Sequence, residues 1–353
     1  MTEPIDASHR KRVMVAMSGG VDSSVAAALL VEAGHDVTGV TLKLWGGDQD
    51  SGCCSVSDVE DARRVAAQLG IAHYVFNFTD DFDAAVVDPY VRAHSDGTTP
   101  NPCIECNRTM KWGRLFARRE QLGFEVLATG HHARVVDTAQ GPRLARGADA
   151  DKDQSYVLYM LDEHQIAHTM FPVGAMTKSE VRAHAARLGL RTASKAESMD
   201  VCFITKGGRE TFLGARIERR PGRVVTTDGT EVGNHDGIDR FTIGQRRGLG
   251  VAAGERRYVV DIDTGSATVT IGERPDLLRS GETLRALRIV GATPTPDVTL
   301  HAQTRAHGAV AACSLDGDRL VWHVPQPRVA PGQAVVLYRG DAPDVVVGGG
   351  TVV

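Results

Sequence analysis

The sequence is poor in aromatic residues and in long apolar runs. Phe, Tyr and Trp together make up 5% of its 353 residues. No run approaches the ~18 apolar residues that a bilayer-spanning helix needs, and the polar, mixed-charge start of the chain is unlike a secretory signal. The lack of both features predicts a cytoplasmic protein with no membrane partner.

Cysteine is scarce, and excess positive charge is absent. Six cysteines in a chain of this length are too few for a disulfide scaffold, so they indicate metal binding or redox catalysis in a reducing compartment. A net charge of −4 excludes general attraction to nucleic acid and leaves that task to local basic clusters. Three clusters are present: Arg108, Lys111, Arg114, Arg118 and Arg119; Arg216, Arg219, Arg220 and Arg223; Arg246, Arg247, Arg256 and Arg257. Each is also compatible with an ordinary solvated surface.

The first half of the chain alternates between strand and helix patterns. Strands are predicted at 12–17, 36–45, 73–78 and 125–129, and helices at 22–33, 57–70, 80–94 and 177–189. Gly34 is placed to end the first of these helices, and Ser57-x-x-Glu60 and Thr177-x-x-Glu180 read as capping boxes that begin two others. The alternation predicts an α/β domain with a doubly wound parallel sheet, and a hairpin is predicted at 134–147.

The helical signal stops near residue 215, and short β runs with Asp-Gly and Thr-Gly turns follow it. We therefore predict a disordered N-terminus over 1–11, a catalytic domain over 12–215, a central β domain over 216–275 and a C-terminal β domain over 276–353.

A glycine loop joins the first strand to the first helix: Ser18-Gly19-Gly20-Val21-Asp22-Ser23-Ser24. Glycines let the backbone approach a phosphate, and the free N–H groups of a helix N-terminus favour its charge. The loop has neither the lysine of the Walker loop nor the third glycine of the dinucleotide fingerprint, which argues against a kinase and a dehydrogenase. It resembles the SGGxDS loop of the PP-loop family, which splits ATP between the α and β phosphates.

Two further segments carry cysteines. Cys103 and Cys106 stand in a proline-stiffened loop over 99–107, ahead of a basic helix that would lower a thiol pKa, and Cys202 stands before an apolar run. Cys103 and Cys106 could belong to a zinc site with Cys53, Cys54 or histidines. An iron–sulfur site using Cys103, Cys106 and Cys202 is a further alternative, and Cys202 could also be a small buried apolar residue.

Seven landmarks in order resemble the tRNA-specific 2-thiouridylase family across nearly the whole chain. They are the glycine loop, TPNPCxxCN at 99–107, ATGH at 128–131, KDQSY at 152–156, DVCFI at 200–204, FTIGQRxGLG at 241–250 and PGQ at 331–333. The resemblance implies a PP-loop catalytic domain related to adenine nucleotide alpha hydrolases, with a β-barrel at the C-terminus. It also implies ATP-dependent 2-thiolation of the wobble uridine in a tRNA anticodon loop, in Lys, Glu and Gln acceptors.

The resemblance further assigns residues and cofactors. Cys106 would be the nucleophile and Cys202 the persulfide carrier, with a transient disulfide between them, and Asn101, Pro102 and Cys103 would face the target base. ATP, with Mg²⁺, would contact Ala16, Met17, Ser18, Gly19, Gly20, Val21, Asp22, Ser23, Leu42 and Gly130. The tRNA would contact His131, Lys152, Asp153, Gln154, Arg305 and Gln333, although His131 and His132 could equally be structural.

The sulfur would come from a cysteine desulfurase or a persulfide carrier. Either the persulfide attacks the base directly or Cys106 first releases sulfide from it. Some family members have Asp where Cys103 stands, so a general base at that position is in doubt. Leu42 replaces a methionine of some relatives, which is a volume-conserving change. Two other functions remain open: a PP-loop ligase or amidotransferase-coupled synthetase, and an RNA-binding adaptor with a relic nucleotide pocket.

Overall fold

The computed structural model describes residues 10–45, 55–196, 201–204, 208–251 and 255–353. The predicted disorder of 1–11 falls mostly outside these residues. The chain divides into two compact units. Unit 1 comprises Met1–Val86, Cys103–Thr205 and Asp344–Val346, and unit 2 comprises Val87–Pro102, Lys206–Pro343 and Val347–Val353. The predicted domain bounds stay predictions.

Unit 1 is built on a parallel sheet. Its strands are β1 (Arg12–Ala16), β2 (Asp36–Lys43), β3 (Ala72–Asn77), β4 (Val126–Thr129), β5 (Ala133–Thr138), β6 (Gly141–Arg146) and β7 (Thr169–Met170). The sheet order is β3-β2-β1-β4-β7 with every pair parallel, and β5 and β6 form a separate antiparallel hairpin. The predicted α/β class and hairpin are confirmed.

Nine α-helices lie in the described residues. They are α1 (Val21–Glu32), α2 (Val56–Leu69), α3 (Thr79–Phe82), α4 (Asp88–Ser95), α5 (Pro102–Glu105), α6 (Phe116–Gln121), α7 (Glu163–Ala167), α8 (Lys178–Arg187) and α9 (Gly208–Gly214). Two π-helical segments, Asp83–Val87 and Cys106–Leu115, and four short 3₁₀ turns, Ser155–Leu158, Arg191–Ser194, Ile238–Arg240 and Pro275–Leu277, complete the set. The alternation predicted no π-helix, because its periodicity hardly differs from that of an α-helix over a few residues.

One predicted helix start is wrong by two residues. The capping box of α2 is formed by Ser55 and Asp58, not by Ser57 and Glu60: Ser55 Oγ accepts from Asp58 N at 3.1 Å, and Ser55 N donates to Asp58 Oδ2 at 3.2 Å. The two Ser-x-x-acid patterns overlap, and only the earlier serine has the extended ψ of a cap. The box at Thr177, which begins α8, is confirmed.

The sheet of unit 1 buries aliphatic side chains against α1. Val13 and Val15 of β1 are fully buried with Val25 and Ala26 of α1 in one cluster. Buried apolar surface of this kind contributes about 25 cal/mol per Å². This core fixes the end of β1 against the start of α1, where the glycine loop lies.

Unit 2 contains the remaining strands in two groups. They are β8 (Gly222–Thr226), β9 (Glu231–His235), β10 (Tyr258–Asp263), β11 (Thr268–Gly272), β12 (Leu278–Ile289), β13 (Leu300–Gln303), β14 (Val310–Asp316), β15 (Arg319–Pro327), β16 (Ala334–Arg339) and β17 (Val346–Val352). The first four form a sheet in the order β10-β11-β8-β9, and the last six close into a barrel. Each group has its own apolar core. The predicted C-terminal barrel is confirmed.

No helix in the described residues is long and apolar enough to cross a bilayer.

Candidate active site

The glycine loop at the end of β1 is held by hydrogen bonds of the Ser23 side chain and lies close to α2. Gly19 adopts a φ of 73°, and a Cβ there would lie 2.2 Å from the Asp58 carbonyl oxygen. Ser23 Oγ accepts from Ser18 N at 3.2 Å and donates to Gly20 O at 3.1 Å. The position of Gly19 therefore requires glycine, both for its φ and for its close approach to α2.

The N-terminus of α1 opens onto this loop. Gly20 is its N-cap and has no side chain, so the N-cap residue leaves the first N–H groups of α1 uncapped. Gly130, just after β4, lies so close that a Cβ would be 2.5 Å from Ser23 N. An uncapped helix N-terminus lined by two close glycines is suited to bind a phosphate. Leu42 is buried in β2.

Asp22, in the first turn of α1, contacts two side chains from distant parts of the chain. The Lys178 ammonium donates to both carboxylate oxygens at 2.7 Å, and His132 Nε2 lies 3.2 Å from Oδ1. Burial alone would raise the pKa of Asp22, but hydrogen bonds from His132 and Lys178 outweigh it and hold the pKa below its usual value. Asp22 is therefore a carboxylate at neutral pH.

Sequence reasoning missed Lys178. The loop itself has no lysine, which distinguishes it from kinase loops, and Lys178 stands 156 positions after Asp22. It is the first residue of α8, beside the capping residue Thr177, and its backbone N–H donates to Asp149 Oδ2 at 2.8 Å. The fold thus brings a cation to the loop. No local pattern could have located it.

A second lysine joins the loop to its surroundings. Lys195 Nζ donates to Gly19 O at 3.0 Å, to Asp58 Oδ1 at 2.6 Å and to Asp61 Oδ2 at 2.7 Å. Burial would lower the pKa of Lys195, but hydrogen bonds with Asp58 and Asp61 outweigh it and raise the pKa. The Arg182 guanidinium donates two hydrogen bonds to the Lys195 carbonyl oxygen, both at 3.2 Å. Lys195 was not predicted from the sequence.

Cys106 begins the longer π-helix. Its thiol is buried, whereas Cys103, in α5, is half-buried. The next residue, Asn107, donates from Nδ2 to Val157 O at 2.9 Å, while its buried Oδ1 has no hydrogen-bond partner among the described residues. π-helical turns are rare and often lie at functional sites. The segment is thus consistent with a reactive position at Cys106.

Cys202 lies in the short described segment 201–204 and is half-buried. The next side chain, Phe203, is 1% exposed, with its ring centroid 6.1 Å from that of Trp45 and 5.8 Å from that of Phe82. Such tilted and edge-to-face aromatic pairs are favourable arrangements. Phe203 therefore anchors the chain directly after Cys202. Cys106 and Cys202 belong to the same unit.

The described part of the chain contains no preformed site for the zinc ion or iron–sulfur cluster considered above. Its four cysteines are thiols, and no group of three or more His, Cys, Asp or Glu side chains there is arranged to hold a metal ion. Cys53 and Cys54, which entered the zinc alternative, lie outside the described residues.

His131 is an interior residue of unit 1. Its Nδ1 lies 2.7 Å from Thr129 Oγ1, and its Nε2 lies 3.3 Å from Lys111 Nζ. Burial, and then the charge of Lys111, hold the pKa of His131 well below its usual value. The ring is therefore neutral, and Nε2 accepts a hydrogen bond from Lys111.

Two side chains of the Lys152-Asp153-Gln154 segment form hydrogen bonds within unit 1. Asp153 is 4% exposed and accepts from Gly147 N, Ser155 N and the Arg146 guanidinium at 2.9 to 3.0 Å. Gln154 Oε1 accepts from His132 N at 3.0 Å. Gln154 thereby fixes the backbone of the histidine that contacts Asp22.

In unit 2, two of the sequence landmarks meet. Gln333 donates from Nε2 to the Thr99 carbonyl, and Thr99 N donates to Pro331 O at 2.9 Å. Asn101 is half-buried, Pro102 is buried and Arg305 is exposed. Nothing in the sequences of the 99–107 and 331–333 landmarks indicates this contact.

The three basic clusters differ in structure. Arg119 of the first is 3% exposed and donates to Glu125 O at 2.7 Å, so that cluster is not one solvated face. In the second, Arg219 pairs with Asp239 at 3.1 Å.

The third cluster borders a cavity of about 520 Å³ in unit 2. Arg246, Arg256 and Arg257 line it together with one acid, Glu255. Arg257 pairs with Glu255 and Glu273, at 3.5 and 3.4 Å. Arg246 and Arg256 are exposed and have no carboxylate partner among the described residues.

Three family models match the chain in order. One described as tRNA methyl transferase HUP domain matches residues 11–206. One described as tRNA methyl transferase PRC-barrel domain matches 210–273, and one described as Aminomethyltransferase beta-barrel domain matches 282–352. With the parallel sheet and the uncapped glycine loop, the first match defines the class of protein: a HUP-domain protein of the PP-loop type.

Curated relatives narrow this class. The tRNA-specific 2-thiouridylase MnmA of Mycobacterium avium (strain 104) is 48% identical over 97% of this chain and 98% of its own length. That of Roseiflexus castenholzii is 46% identical over 97% of this chain and 99% of its own. The chain belongs to the tRNA-specific 2-thiouridylase family. A 4-thiouridine synthetase–RNA complex with bound ATP is a more distant solved structure, at 17% identity and a TM-score of 0.37, covering 59% of this chain and 46% of that one.

Proposed function

We propose that this protein is a tRNA-uridine 2-sulfurtransferase, which uses ATP to convert the wobble uridine at position 34 of tRNA into 2-thiouridine, with AMP and pyrophosphate as the other products. The observation that carries the proposal is the pairing of an uncapped, lysine-neutralised glycine loop with two thiols, Cys106 and Cys202, in one unit. The descriptions of two matching family models name a tRNA methyl transferase. Methyl transfer would need neither ATP cleavage nor a second thiol.

ATP would bind along the loop from Ala16 to Ser23, with its phosphates at the uncapped N-terminus of α1 and its adenosine near Leu42 and Gly130. Lys178 would release Asp22 and contact the departing pyrophosphate. Mg²⁺ usually binds substrate phosphates through one or two carboxylates, and Asp22 would be that carboxylate here. The ion would neutralise charge on the leaving pyrophosphate.

The reaction begins at the C2 oxygen of uracil, a poor leaving group. This oxygen attacks the α phosphate, the bond to the β phosphate breaks, and an adenylated base results. The terminal sulfur of a Cys202 persulfide then attacks C2, and AMP leaves with the oxygen. A persulfide ionises more readily than a thiol, so it is a strong nucleophile at neutral pH.

The Cys106 thiolate completes the transfer. It attacks the Cys202 sulfur, the bond to the outer sulfur breaks, and 2-thiouridine is released with a Cys106–Cys202 disulfide. If Cys106 attacks the persulfide first, sulfide is released and attacks C2, and the same disulfide results. An external thiol reductant must reopen it, and a cysteine desulfurase or persulfide carrier must reload Cys202.

The substrate would enter as an unpaired nucleotide of an anticodon loop, whose unstacking costs little. Asn101, Pro102 and Cys103 would face the base. Lys152 and Arg305 are expected tRNA contacts. Arg305 is exposed, whereas the side chains of Asp153, Gln154 and His131 bond within unit 1. Acceptors for Lys, Glu and Gln are expected substrates.

The test is mass spectrometry of tRNA nucleosides after incubation with ATP, a cysteine desulfurase and cysteine. The expected product is uridine with one oxygen replaced by sulfur, together with AMP. Pyrophosphate release with a small amine and no tRNA would instead indicate a PP-loop ligase. Binding of tRNA with no AMP production would indicate an adaptor.

A further inference from the structure

We propose that Gln333 is a positioning residue for the segment Thr98–Pro102, whose last residues are expected to face the target base. This inference rests on the proposed function. Gln333 was expected to contact tRNA, but its side-chain amide donates to the Thr99 carbonyl. Its role would thus be to set the place of Asn101 and Pro102 within unit 2.

The turn that carries Gln333 is fixed to the barrel. Gly332 N donates to Val352 O at 2.9 Å, and Val352 N donates to Gln333 O at 2.9 Å. Gln333 N donates to Ala330 O at 3.1 Å, and Ala330 is buried in the apolar core around β10 and β11. We call this turn, residues 330–333, the platform. It directly precedes β16 and is hydrogen-bonded to the end of β17.

The segment lies directly on this platform. Thr99 N donates to Pro331 O at 2.9 Å, Gln333 Nε2 donates to Thr99 O, and the same nitrogen lies 3.4 Å from Thr99 Oγ1. Gly332 has a φ of 88°, and a Cβ on it would lie 3.2 Å from Thr99 N and 3.3 Å from Pro100 N. The glycine thus permits the close approach, and Thr99 is 6% exposed.

Two prolines extend the effect of this contact along the chain. Pro100 and Pro102 flank Asn101 and fix their own φ angles near −65°. The N–H and C=O groups of Thr99 are both bonded to the platform, so few backbone torsions between Thr99 and Asn101 are free to change. Gln333 would therefore influence the orientation of Asn101 without touching the base.

The experiment compares Gln333→Leu, which removes the donor at similar size, with the control Gln326→Leu. Gln326 is a half-buried barrel glutamine whose amide donates to Val324 O, close to it on the same strand. Hydrogen–deuterium exchange of a peptide covering 96–102 is measured without tRNA, followed by tRNA affinity and single-turnover thiolation.

The expected result for Gln333→Leu is exchange about five-fold faster in 96–102, as for the loss of one hydrogen bond. The thiolation rate falls by a similar factor, while tRNA affinity stays within two-fold, and the control shows none of these changes. Unchanged exchange in 96–102 with weaker tRNA affinity would overturn the proposal in favour of direct contact. Unchanged values throughout would overturn it as well.

A second variant guards against loss of folding. Gln333→Asn keeps the polar group but shortens its reach, so it should give the same direction of change with an intact thermal transition. The exchange measurement needs no activity. If the wild-type protein fails to thiolate tRNA, the proposed function fails, yet exchange in 96–102 still decides whether Gln333 holds the segment.

Discussion

Lys178 and Asp22 form an ion pair across the glycine loop, with the ammonium 2.7 Å from each carboxylate oxygen. The Lys178 side chain is 14% exposed, so the pair is only partly screened by water. A cation held in this way can transfer from a carboxylate to a phosphate without a large change in its surroundings.

Replacing Lys178 with Met should lower kcat/KM for ATP by about 100-fold, because a charge-assisted contact to the leaving pyrophosphate contributes roughly 3 kcal/mol. Pyrophosphate release in the presence of tRNA measures the effect. Lys43→Met, at an exposed position on β2, is the matched control and should leave the rate unchanged. Equal rates of pyrophosphate release for both variants would show that Lys178 takes no part in the reaction.

Cys106→Ser and Cys202→Ser should each abolish thiolation while ATP binding survives, since Cys202 carries the sulfur and Cys106 is needed to release it. The control is Cys313→Ala. Burial raises the pKa of Cys313 to about 12, so its thiol is inert and its loss should leave thiolation intact. Full thiolation by Cys106→Ser or Cys202→Ser would contradict the assignment.

Lys195→Met should destabilise unit 1 by about 2 kcal/mol, since it leaves the partly buried Asp58 and Asp61 without their cation. The free energy of unfolding in urea measures this. The double variant Lys195→Met/Asp61→Asn should recover part of the loss, because one unpaired charge is also removed. Strictly additive effects would show that Lys195 and Asp61 do not interact in solution.

His94, in α4, should make stability depend on pH. Burial, and then the charge of Arg209, lower the pKa of His94 to about 4 from 6.5. The unfolded chain therefore binds the proton first, and stability falls as pH drops from about 6.5 to 4, by roughly 3 kcal/mol at 1.36 kcal/mol per pH unit. Urea unfolding at several pH values should show a smaller fall for His94→Gln. Equal pH slopes would contradict the burial of a neutral ring.

Arg246→Gln and Arg256→Gln should weaken tRNA binding through lost phosphate contacts. The slope of log affinity against log salt should become shallower by about 1 for each arginine. Arg240, which pairs with Glu210 and Asp236, provides the control, because its charge is already satisfied. An unchanged salt slope would place the RNA elsewhere on the protein.

The sequence was sufficient for the elements with strong local signals. The strand–loop–helix unit around Gly19 and the helix stop at Gly34 follow from glycine conformation and periodicity, and the fold matches them. The Ser57 prediction failed because two capping patterns overlap by two residues. Register and caps are decided by backbone geometry, which such patterns specify only to within a few residues.

The candidate site was predictable only where a residue lies within a motif. Lys178 and Lys195 lie outside the motifs and act through contacts made between distant parts of the chain. Gln333 lies in a landmark, but its contact with Thr99 spans 234 positions and is not part of the motif. Such pairs depend on how elements pack, and a single sequence has no local pattern that records packing.

The interleaving of the two units limits how the protein can be dissected. Residues 87–102 precede Cys106 in the chain yet belong with the β-rich unit, and residues 344–346, near the C-terminus, belong with the catalytic one, where Val345 bridges to Ala145. A fragment ending at residue 205 would carry the former without their neighbours and lack the latter. Recombinant work on sulfur transfer therefore calls for the intact polypeptide, or for two fragments supplied together so that each restores what the other has lost.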